Sequence, residues 1–283
     1  MLAMEPVVET TLAPKLKQGV MKGGEKRKRI VVGINSLTES QYPAYSNHLQ
    51  VWFRFGRSYP DYDFILVNPS RMSIDRMRNM TVKTALECEA DYVLFIDDDV
   101  LVPIDALAKL IACEAECAAG KAVIRGYPFD WMVFSKLGDE SKGEPAGLNA
   151  YKELPDGGIL EIGAVGFCCT LLKVDLFRPM KPPYFVTGVS WTEDIYFFLK
   201  AKQASPAARF VVDCSVDCGH ILWPEVMTSK NRAAYKKMME ELDPQLLDAK
   251  LRSIHEPMRP PTVGVDHGQE YMNQIQEVLR AQA

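Results

Sequence analysis

Short apolar runs alternate with segments of helical length through the first half of the chain, and this alternation constrains the fold more than any other feature. The apolar runs lie at residues 30–34, 64–67, 92–96 and 122–125. The segments that predict helices lie between them, at residues 45–55, 74–89 and 103–117. Apolar strands separated by helices of this length predict an α/β fold with a mostly parallel central sheet, flanked by helices on both faces.

The pattern changes after Gly126. Residues 135–158 are rich in Gly, Pro and charged side chains, which predicts an exposed loop or a small hairpin. Two strands interrupted by Gly163 and Gly166 are expected within residues 159–173. The remaining expected elements are a helix at 191–204, a strand at 210–212 and helices at 228–242, 244–253 and 269–281, the last three forming a helical C-terminal tail.

Charge and cysteine content limit the functional classes. The 283-residue chain has a net charge of −4 and therefore lacks an overall positive field for holding nucleic acid, although residues 26–29 form a local basic cluster. This cluster ends a segment, residues 1–28, that we expect to be a flexible basic arm. No apolar run predicts a membrane span or a signal peptide. The seven cysteines, an odd number, favour reduced thiols, and the expected location is the cytoplasm.

Three consecutive carboxylates, Asp97, Asp98 and Asp99, follow the third predicted strand. Ligands of open parallel sheets bind beyond the carboxyl ends of the strands, which is where these side chains lie. Strand alternation places Asp97 and Asp99 on one side and Asp98 on the other. Oxygen ligands favour Mg²⁺ or Mn²⁺, and such a cation stabilises a leaving diphosphate. The alternative is a solvated acidic turn that caps the next helix.

Two other segments carry polar groups that suit a substrate site. Arg76 and Asn79 share one face of the second predicted helix, where an arginine can hold a phosphate or a nucleobase carbonyl, and the alternative is an ordinary charged helix surface. Glu193 and Asp194 open a later helix, so they either cap that helix or provide a general base.

His220 follows the last predicted strand and, with Asp99, could complete a cation site. Cys214, Cys218 and His220 together would suggest zinc instead, but a fourth ligand at familiar spacing is missing. A structural role for a single histidine is the third alternative.

In combination these motifs resemble the GT-A fold of glycosyltransferases, in particular the family 2-like group. The segments 75–79 and 91–100 resemble the nucleotide-sugar half, built on a Rossmann-like sheet, whereas 163–167, 192–195 and 217–220 resemble the acceptor half with its smaller sheet. The resemblance implies a catalytic domain at 29–226, divided at residue 126, and a helical extension at 227–283. The pattern is also similar to compact transferases encoded by bacteriophages, some of which glycosylate modified DNA bases.

The resemblance implies a role for each matching residue. Asp194 would be the catalytic base and Glu193 would orient the acceptor. Asp97, Asp99 and His220 would bind Mn²⁺ or Mg²⁺. The donor, a nucleotide-diphosphate sugar with UDP favoured, would be held by the following residues: Gly33, Ile34, Asn35, Arg76, Asn79, Asp97, Asp98 and Gly166. Asp98 has no more specific role.

The resemblance leaves several points open. The acceptor hydroxyl belongs to a glycan, a small molecule or a modified DNA base, inversion is favoured over retention, and the oligomeric state is not predicted. A sugar-phosphate nucleotidyltransferase is the first alternative function, although residues 33–40 lack the basic side chains usual after the first strand of such enzymes. The second alternative is a non-catalytic binding protein of the same fold.

Overall fold

The computed structural model of the protein describes residues 19–21, 24–36, 42–126, 128–135, 149–188, 191–222 and 225–240. Its strands are β1 (Lys28–Asn35), β2 (Tyr62–Val67), β3 (Tyr92–Asp97), β4 (Val100–Leu101), β5 (Cys117–Lys121), β6 (Val133–Phe134), β7 (Ile159–Glu161), β8 (Ala164–Val165), β9 (Cys169–Lys173), β10 (Phe210–Asp217), β11 (Gly219–Leu222) and β12 (Glu225–Met227). Its helices are α1 (Tyr42–Ser58), α2 (Ile74–Glu87), α3 (Ala106–Ala112), α4 (Glu193–Ala204) and α5 (Ser229–Glu240).

The central sheet has seven strands in the order β2-β1-β3-β9-β5-β10-β7. β1 is parallel to β2 and β3, and β5 is parallel to β10, whereas β9 and β7 are antiparallel to their neighbours. Five of the seven strands therefore run in the same direction. This sheet confirms the predicted α/β fold with a mostly parallel central sheet, and smaller sheets of three and two strands accompany it.

The two faces of the sheet are covered by different helices, as alternating strands require. On one face Val31 and Phe95 pack against Val82 of α2 and the buried aromatic side chains of α4. On the other face Val32 and Leu94 pack in a second cluster, which also contains the buried residues Val51, Phe55, Leu107 and Leu110 of α1 and α3. Both faces of the sheet are therefore buried. The ends of the strands are where polar groups of the sheet can contact a ligand.

The fourth strand lies earlier in the chain than predicted. The expected helix at 103–117 is shortened to α3, and residues 117–121 form β5 between β9 and β10. Its sequence, Cys-Ala-Ala-Gly-Lys, contains no β-branched or aromatic residue typical of a strand, but complete burial between two strands stabilises it as one. Residues 122–125, the predicted strand, contribute only an isolated bridge between Val123 and Trp131.

A small antiparallel sheet, β12-β11-β4, places two distant parts of the chain side by side. β4 directly follows the acidic triplet, and its Val100 is paired with His220 of β11. The backbone N–H of Ile221 also donates to the carbonyl of Asp99 at 2.9 Å. The short strands that form this sheet were not predicted, and they are what brings His220 to the acidic triplet.

The ends of the chain are described only in part. Of the predicted arm, Val20 and Lys26 form an antiparallel bridge, and the Gly19 N–H donates to Asp63 at 2.6 Å. The predicted helix at 228–242 is observed as α5, and the expected helices at 244–253 and 269–281 lie outside the described residues. No helix in the described part of the chain is long and apolar enough to cross a membrane.

Candidate functional site

The carboxyl ends of β1 and β3 lie next to each other and carry polar side chains. Asn35 ends β1 and is in register with Asp97, which ends β3. The Asp97 side chain keeps 22% of its surface exposed, so a ligand can reach it. Asn35 is only 3% exposed, and neither polar atom of its side-chain amide has a hydrogen-bond partner among the described residues. An unsatisfied buried amide is costly, so this strand end favours a polar ligand beside Asp97.

Arg78 of α2 joins the acidic triplet to the start of α4. Its Nη2 lies 3.2 Å from Asp97 Oδ1, and its Nε donates to Glu193 Oε1 at 3.0 Å. The Arg78 side chain is 3% exposed and lies over the rings of Phe95 and Phe167, at 5.4 Å and 5.0 Å from their centroids. One guanidinium therefore holds together two carboxylates that are 96 positions apart in the sequence.

The electrostatics of this cluster favour protonation of Asp97 at mildly acidic pH. Burial raises the pKa of Asp97 to about 6, against the opposing charge of Arg78, and the charges of Asp99 and Glu193 add to the increase. Nη1 of Arg78 is buried and has no partner among the described residues. Asp97 and Glu193 thus share one buried cation, Arg78, and a further cation or a hydrogen-bonding ligand would improve this balance of charge.

Asp194 lies at the start of α4, next to Glu193. Its Oδ1 accepts hydrogen bonds from the Thr192 hydroxyl and, at 2.8 Å, from the Ile195 N–H. Burial and the neighbouring Glu193 charge raise the pKa of Asp194 to about 6 in spite of these bonds. A carboxylate whose pKa lies near the working pH suits general base catalysis.

Asp99 and His220 face each other across the small sheet. His220 Nε2 lies 3.5 Å from Asp99 Oδ1, and His220 Nδ1 lies 2.8 Å from the carbonyl oxygen of Val123. Because a carbonyl can only accept, Nδ1 carries a proton, and Nε2 is the ring nitrogen that faces Asp99. This arrangement, a ligating nitrogen fixed by a backbone carbonyl on its other side, is common at metal sites.

Arg125 is the second partner of Asp99. Its Nη1 lies 2.7 Å from Asp99 Oδ2, and its side chain is 51% exposed. Burial alone would raise the pKa of Asp99, but the hydrogen bond and charge of His220 and the charge of Arg125 outweigh burial and lower the pKa. Asp99 is therefore ionised at neutral pH, as a ligand to a divalent cation must be.

The fit to Mg²⁺ or Mn²⁺ depends on this pair. Among the residues that the structure describes, no group of three or more His, Cys, Asp or Glu side chains has metal-binding geometry. Asp99 and His220 together offer one oxygen and one nitrogen, while Asp97 is engaged with Arg78. Mg²⁺ in nucleotide sites is commonly held by one or two carboxylates, with phosphate oxygens and water completing the shell. Asp99 can supply one such carboxylate and His220 a nitrogen ligand beside it.

The zinc alternative has little support in the structure. A hydrogen bond with Cys169 and burial raise the pKa of Cys218 well above its usual value, and burial raises the pKa of Cys214. Zinc binds the thiolate, which these environments disfavour. All seven cysteines are buried free thiols.

Asp98 and Asp99 form the turn between β3 and β4, so the strand alternation expected for the triplet does not extend past Asp97. Burial and the charge of Asp99 raise the pKa of the Asp98 carboxyl. A hydrogen bond with Ser36, the residue after β1, opposes this increase without cancelling it. Asp98 therefore lies on the β1 side of the site.

The predicted donor residues of α2 occupy two different environments. Arg76 is exposed. The Asn79 side-chain amide binds backbone, since its Nδ2 donates to the Phe185 carbonyl at 2.7 Å and its Oδ1 accepts from the Tyr184 N–H at 2.7 Å. Asn79 thus fixes the segment before α4, and its assignment to the donor, like that of Arg76, stays a prediction.

The predicted glycines are close-packing positions. A Cβ on Gly33 would lie 2.7 Å from Thr81 Cγ2, and a Cβ on Gly166 would lie 2.4 Å from Met132 Cε. Ile34 is a buried core residue. Gly33 lets α2 approach β1, and Gly166 makes room for the Met132 side chain, so any contact of these residues with a donor stays a prediction.

Sequence reasoning missed Arg78, although a signal for it was present. Residues 78, 81, 82 and 85 recur at helical spacing and are all buried, so Arg78 belongs to the apolar stripe of α2. An arginine on such a stripe needs buried partners, and the two carboxylates supply them. Arg125 was also missed, and its position at the end of an apolar run gave no comparable signal.

Comparisons with known proteins give a fold likeness only. No protein-family model and no curated protein matches the chain. Among solved structures, it is similar to A197 from STIV, with 18% identity and a TM-score of 0.48, covering 71% of this chain and 93% of that one. It is also similar to GalNAc-T7 with UDP, GalNAc and Mn2+ (11%, TM-score 0.41, covering 88% and 54%) and to UDP-glucose pyrophosphorylase complexed with UDP-glucose (11%, TM-score 0.40, covering 75% and 99%). At TM-scores below 0.5 these likenesses do not say what this chain binds.

Proposed function

We propose that the protein is a metal-dependent glycosyltransferase that moves a sugar from a nucleotide-diphosphate sugar, with UDP favoured, to an acceptor hydroxyl. The observation that carries the proposal is the double ion pair of Arg78, which joins Asp97 and Glu193 in one ion-pair cluster. A donor-side carboxylate cluster and an acceptor-side base are the two halves that such a reaction needs. The unsatisfied amide of Asn35 beside Asp97 supports a polar donor there.

The residues divide into donor and acceptor roles. Asp99 and His220 would hold the divalent cation, which supplies charge stabilisation for the departing diphosphate. Arg125 is half-exposed at the same carboxylate and would contact the diphosphate with its remaining N–H groups. Asp97 would lie against the donor from the Arg78 side.

Asp194 would act as the base. It takes the proton of the acceptor hydroxyl while the acceptor oxygen forms a bond to the anomeric carbon, and the bond from that carbon to the diphosphate oxygen breaks. Attack from the face opposite the leaving group inverts the anomeric centre. Glu193 stays ion-paired with Arg78 and orients the start of α4.

A modified DNA acceptor has less support than a glycan or a small molecule. In the basic cluster, Arg27 lies 3.7 Å from Asp63, and Arg29 is 5% exposed and donates to the Cys88 carbonyl. These two side chains are therefore engaged with the protein itself rather than presented together on a surface.

The experiment that tests the proposal is a thermal-shift screen of nucleotide sugars with Mn²⁺, followed by a donor-hydrolysis assay on the hits. We expect one nucleotide sugar to raise the melting temperature more with Mn²⁺ than without it, and to release its nucleoside diphosphate slowly. Pyrophosphate release from a nucleoside triphosphate and a sugar phosphate would favour the nucleotidyltransferase instead. Normal folding with no binding and no hydrolysis of any nucleotide sugar would favour the binding-protein alternative.

A further inference from the structure

The loop that contacts the Asp99–His220 pair is a hairpin formed by residues 122–132, of which Tyr127 lies outside the described residues. Its two arms are joined by hydrogen bonds from the Ile124 N–H to the Asp130 carbonyl and from the Met132 N–H to the Ala122 carbonyl, both 3.0 Å. Its tip is closed by the Phe129 N–H, which donates to the Gly126 carbonyl at 2.7 Å.

This hairpin supplies a contact to each member of the pair. The Val123 carbonyl accepts from His220 Nδ1 at 2.8 Å and so fixes the ring and its tautomer. Arg125 lies 2.7 Å from the carboxylate of Asp99. A shift of the hairpin would therefore move both groups that orient the pair.

A single side chain of α5 holds the hairpin from the far side. Arg232 is 5% exposed, its Nε donates to the Phe129 carbonyl at 2.7 Å, and its guanidinium lies over the Trp131 ring at 5.0 Å from the centroid. Its Nη2 lies 3.9 Å from Asp130 Oδ1. These three contacts are consecutive residues of one hairpin arm, which pairs with the arm that carries Val123.

The remaining bonds of Arg232 fix the guanidinium itself. Nη1 donates to both carboxylate oxygens of Glu153, at 3.2 Å and 3.3 Å, and Nη2 donates to the Lys152 carbonyl at 3.2 Å. The Glu153 side chain is 82% exposed, so this ion pair is screened by water and contributes little. The buried bond to Phe129 and the stacking on Trp131 therefore account for most of the anchoring.

We propose that Arg232 is a positioning residue for the cation site: through the 122–132 hairpin it fixes the Val123 carbonyl and Arg125, and thereby His220 and Asp99. This inference rests on the proposed function, because it takes Asp99 and His220 as the cation ligands. With this role for Arg232, α5 supports the cation site instead of being a helix that is only attached to the catalytic domain.

The test is Mn²⁺ binding by the full chain in the presence of saturating UDP, measured by electron paramagnetic resonance of the unbound ion. The chains compared are the wild type, Arg232→Met, Arg232→Lys and Glu153→Gln. Changes around a metal ligand commonly lower metal affinity by 10–100-fold, so we expect the Kd for Mn²⁺ to rise about tenfold or more in Arg232→Met. Lysine can keep a hydrogen bond to the Phe129 carbonyl but cannot reproduce the several bonds of the planar guanidinium. The Kd of Arg232→Lys for Mn²⁺ should therefore lie between those of the wild type and Arg232→Met. Glu153→Gln should bind like the wild type.

Folding is followed separately, as the melting temperature without metal. If Arg232→Met does not fold, Arg232→Lys decides the question, and a Kd within twofold of the wild type in a folded Arg232 variant overturns the inference. An equal rise in Glu153→Gln also overturns it, because the exposed ion pair would then be the active contact. A wild-type chain that binds no Mn²⁺ in the presence of UDP overturns the proposed function and this inference together, whereas wild-type binding with unchanged Arg232 variants overturns only the inference.

Discussion

Arg78 donates through Nε to Glu193 Oε1 at 3.0 Å, across 115 positions of sequence. The same guanidinium is ion-paired with Asp97, so the carboxyl end of β3 and the start of α4 share one buried cation. This contact turns two separate acidic motifs into a single candidate site.

Removing the shared cation should destabilise the fold strongly. We expect Arg78→Met to lower the free energy of unfolding by about 3–5 kcal/mol, since Asp97 and Glu193 would keep buried charges without their partner. Arg76→Met, two residues away on the exposed side of α2, should change it by about 0.5 kcal/mol or less. Urea unfolding of both variants measures the difference, and similar losses in the two would contradict the structural assignment.

Substitution of Asp194 should lower the rate of sugar transfer without weakening the binding of the nucleotide. In Asp194→Asn the amide keeps its size and can still accept from the Ile195 N–H, but it cannot take a proton. We therefore expect nucleoside diphosphate binding with Mn²⁺ to stay within about threefold of the wild type, while transfer falls by about 10²-fold or more. Calorimetry and product formation give the two numbers, with Thr192→Val as a control for the loss of one hydrogen bond alone. Loss of binding in Asp194→Asn would place Asp194 on the donor side instead.

Stability should fall as the pH rises from about 4 to about 6. Burial raises the pKa of both Asp97 and Asp194 to about 6, so in this window the folded chain holds protons that the unfolded chain releases. Stability decreases with pH wherever the folded state binds more protons. Urea midpoints of the wild type and Asp194→Asn, measured from pH 4.5 to pH 6.5, should show a shallower fall in the variant. Parallel curves would show that Asp194 does not titrate in this range.

Gly33 is expected to be required for packing. In Gly33→Ala the new Cβ would meet Thr81 Cγ2 at 2.7 Å and Oγ1 at 2.9 Å, and overpacking of this kind costs about 1–3 kcal/mol. Gly33→Ala combined with Thr81→Ala should recover part of the loss. Gly56→Ala is the matched control, because no atom lies within 4 Å of its Cβ and alanine in a helix should stabilise by about 0.5–1 kcal/mol. If Gly33→Ala leaves the free energy of unfolding unchanged, the packing role is wrong, and contact with a ligand becomes the better explanation for a glycine at this position.

The parts of the fold with strong local patterns were predictable. The strands β1, β2 and β3 are apolar runs, the helices α2 and α4 lie in segments of helical length, and the acidic triplet was correctly placed at a strand end. β5 was not predictable, because its Ala-Ala-Gly core lacks the β-branched and aromatic residues typical of strands and it is a strand only through burial between β9 and β10. The very short strands β4, β6, β8 and β12 depend on pairing with distant segments and leave no period to read.

The site was predictable in its carboxylates but not in its connections. Asp97, Asp99, Glu193 and Asp194 are conspicuous in sequence, and the structure places Asp99 beside His220 and Asp97 within one ion-pair cluster with Glu193. Which arginine of α2 turns inward depends on the helix face, and the sequence reasoning chose Arg76 by its spacing from Asn79. The contacts of Arg125 and Arg232 depend on the 122–132 hairpin, whose fold arises from tertiary pairing.

The central claim is that Asp99 binds a divalent cation that is shared with the diphosphate of a nucleotide donor. Calorimetric titration of UDP into the wild type and Asp99→Asn, each with and without Mn²⁺, tests it most directly. We predict that Mn²⁺ tightens UDP binding to the wild type about tenfold or more, a magnitude usual for coupled ligands, and leaves UDP binding to Asp99→Asn unchanged. Equal UDP affinity of the wild type with and without Mn²⁺, or an undiminished Mn²⁺ effect in Asp99→Asn, would contradict the claim.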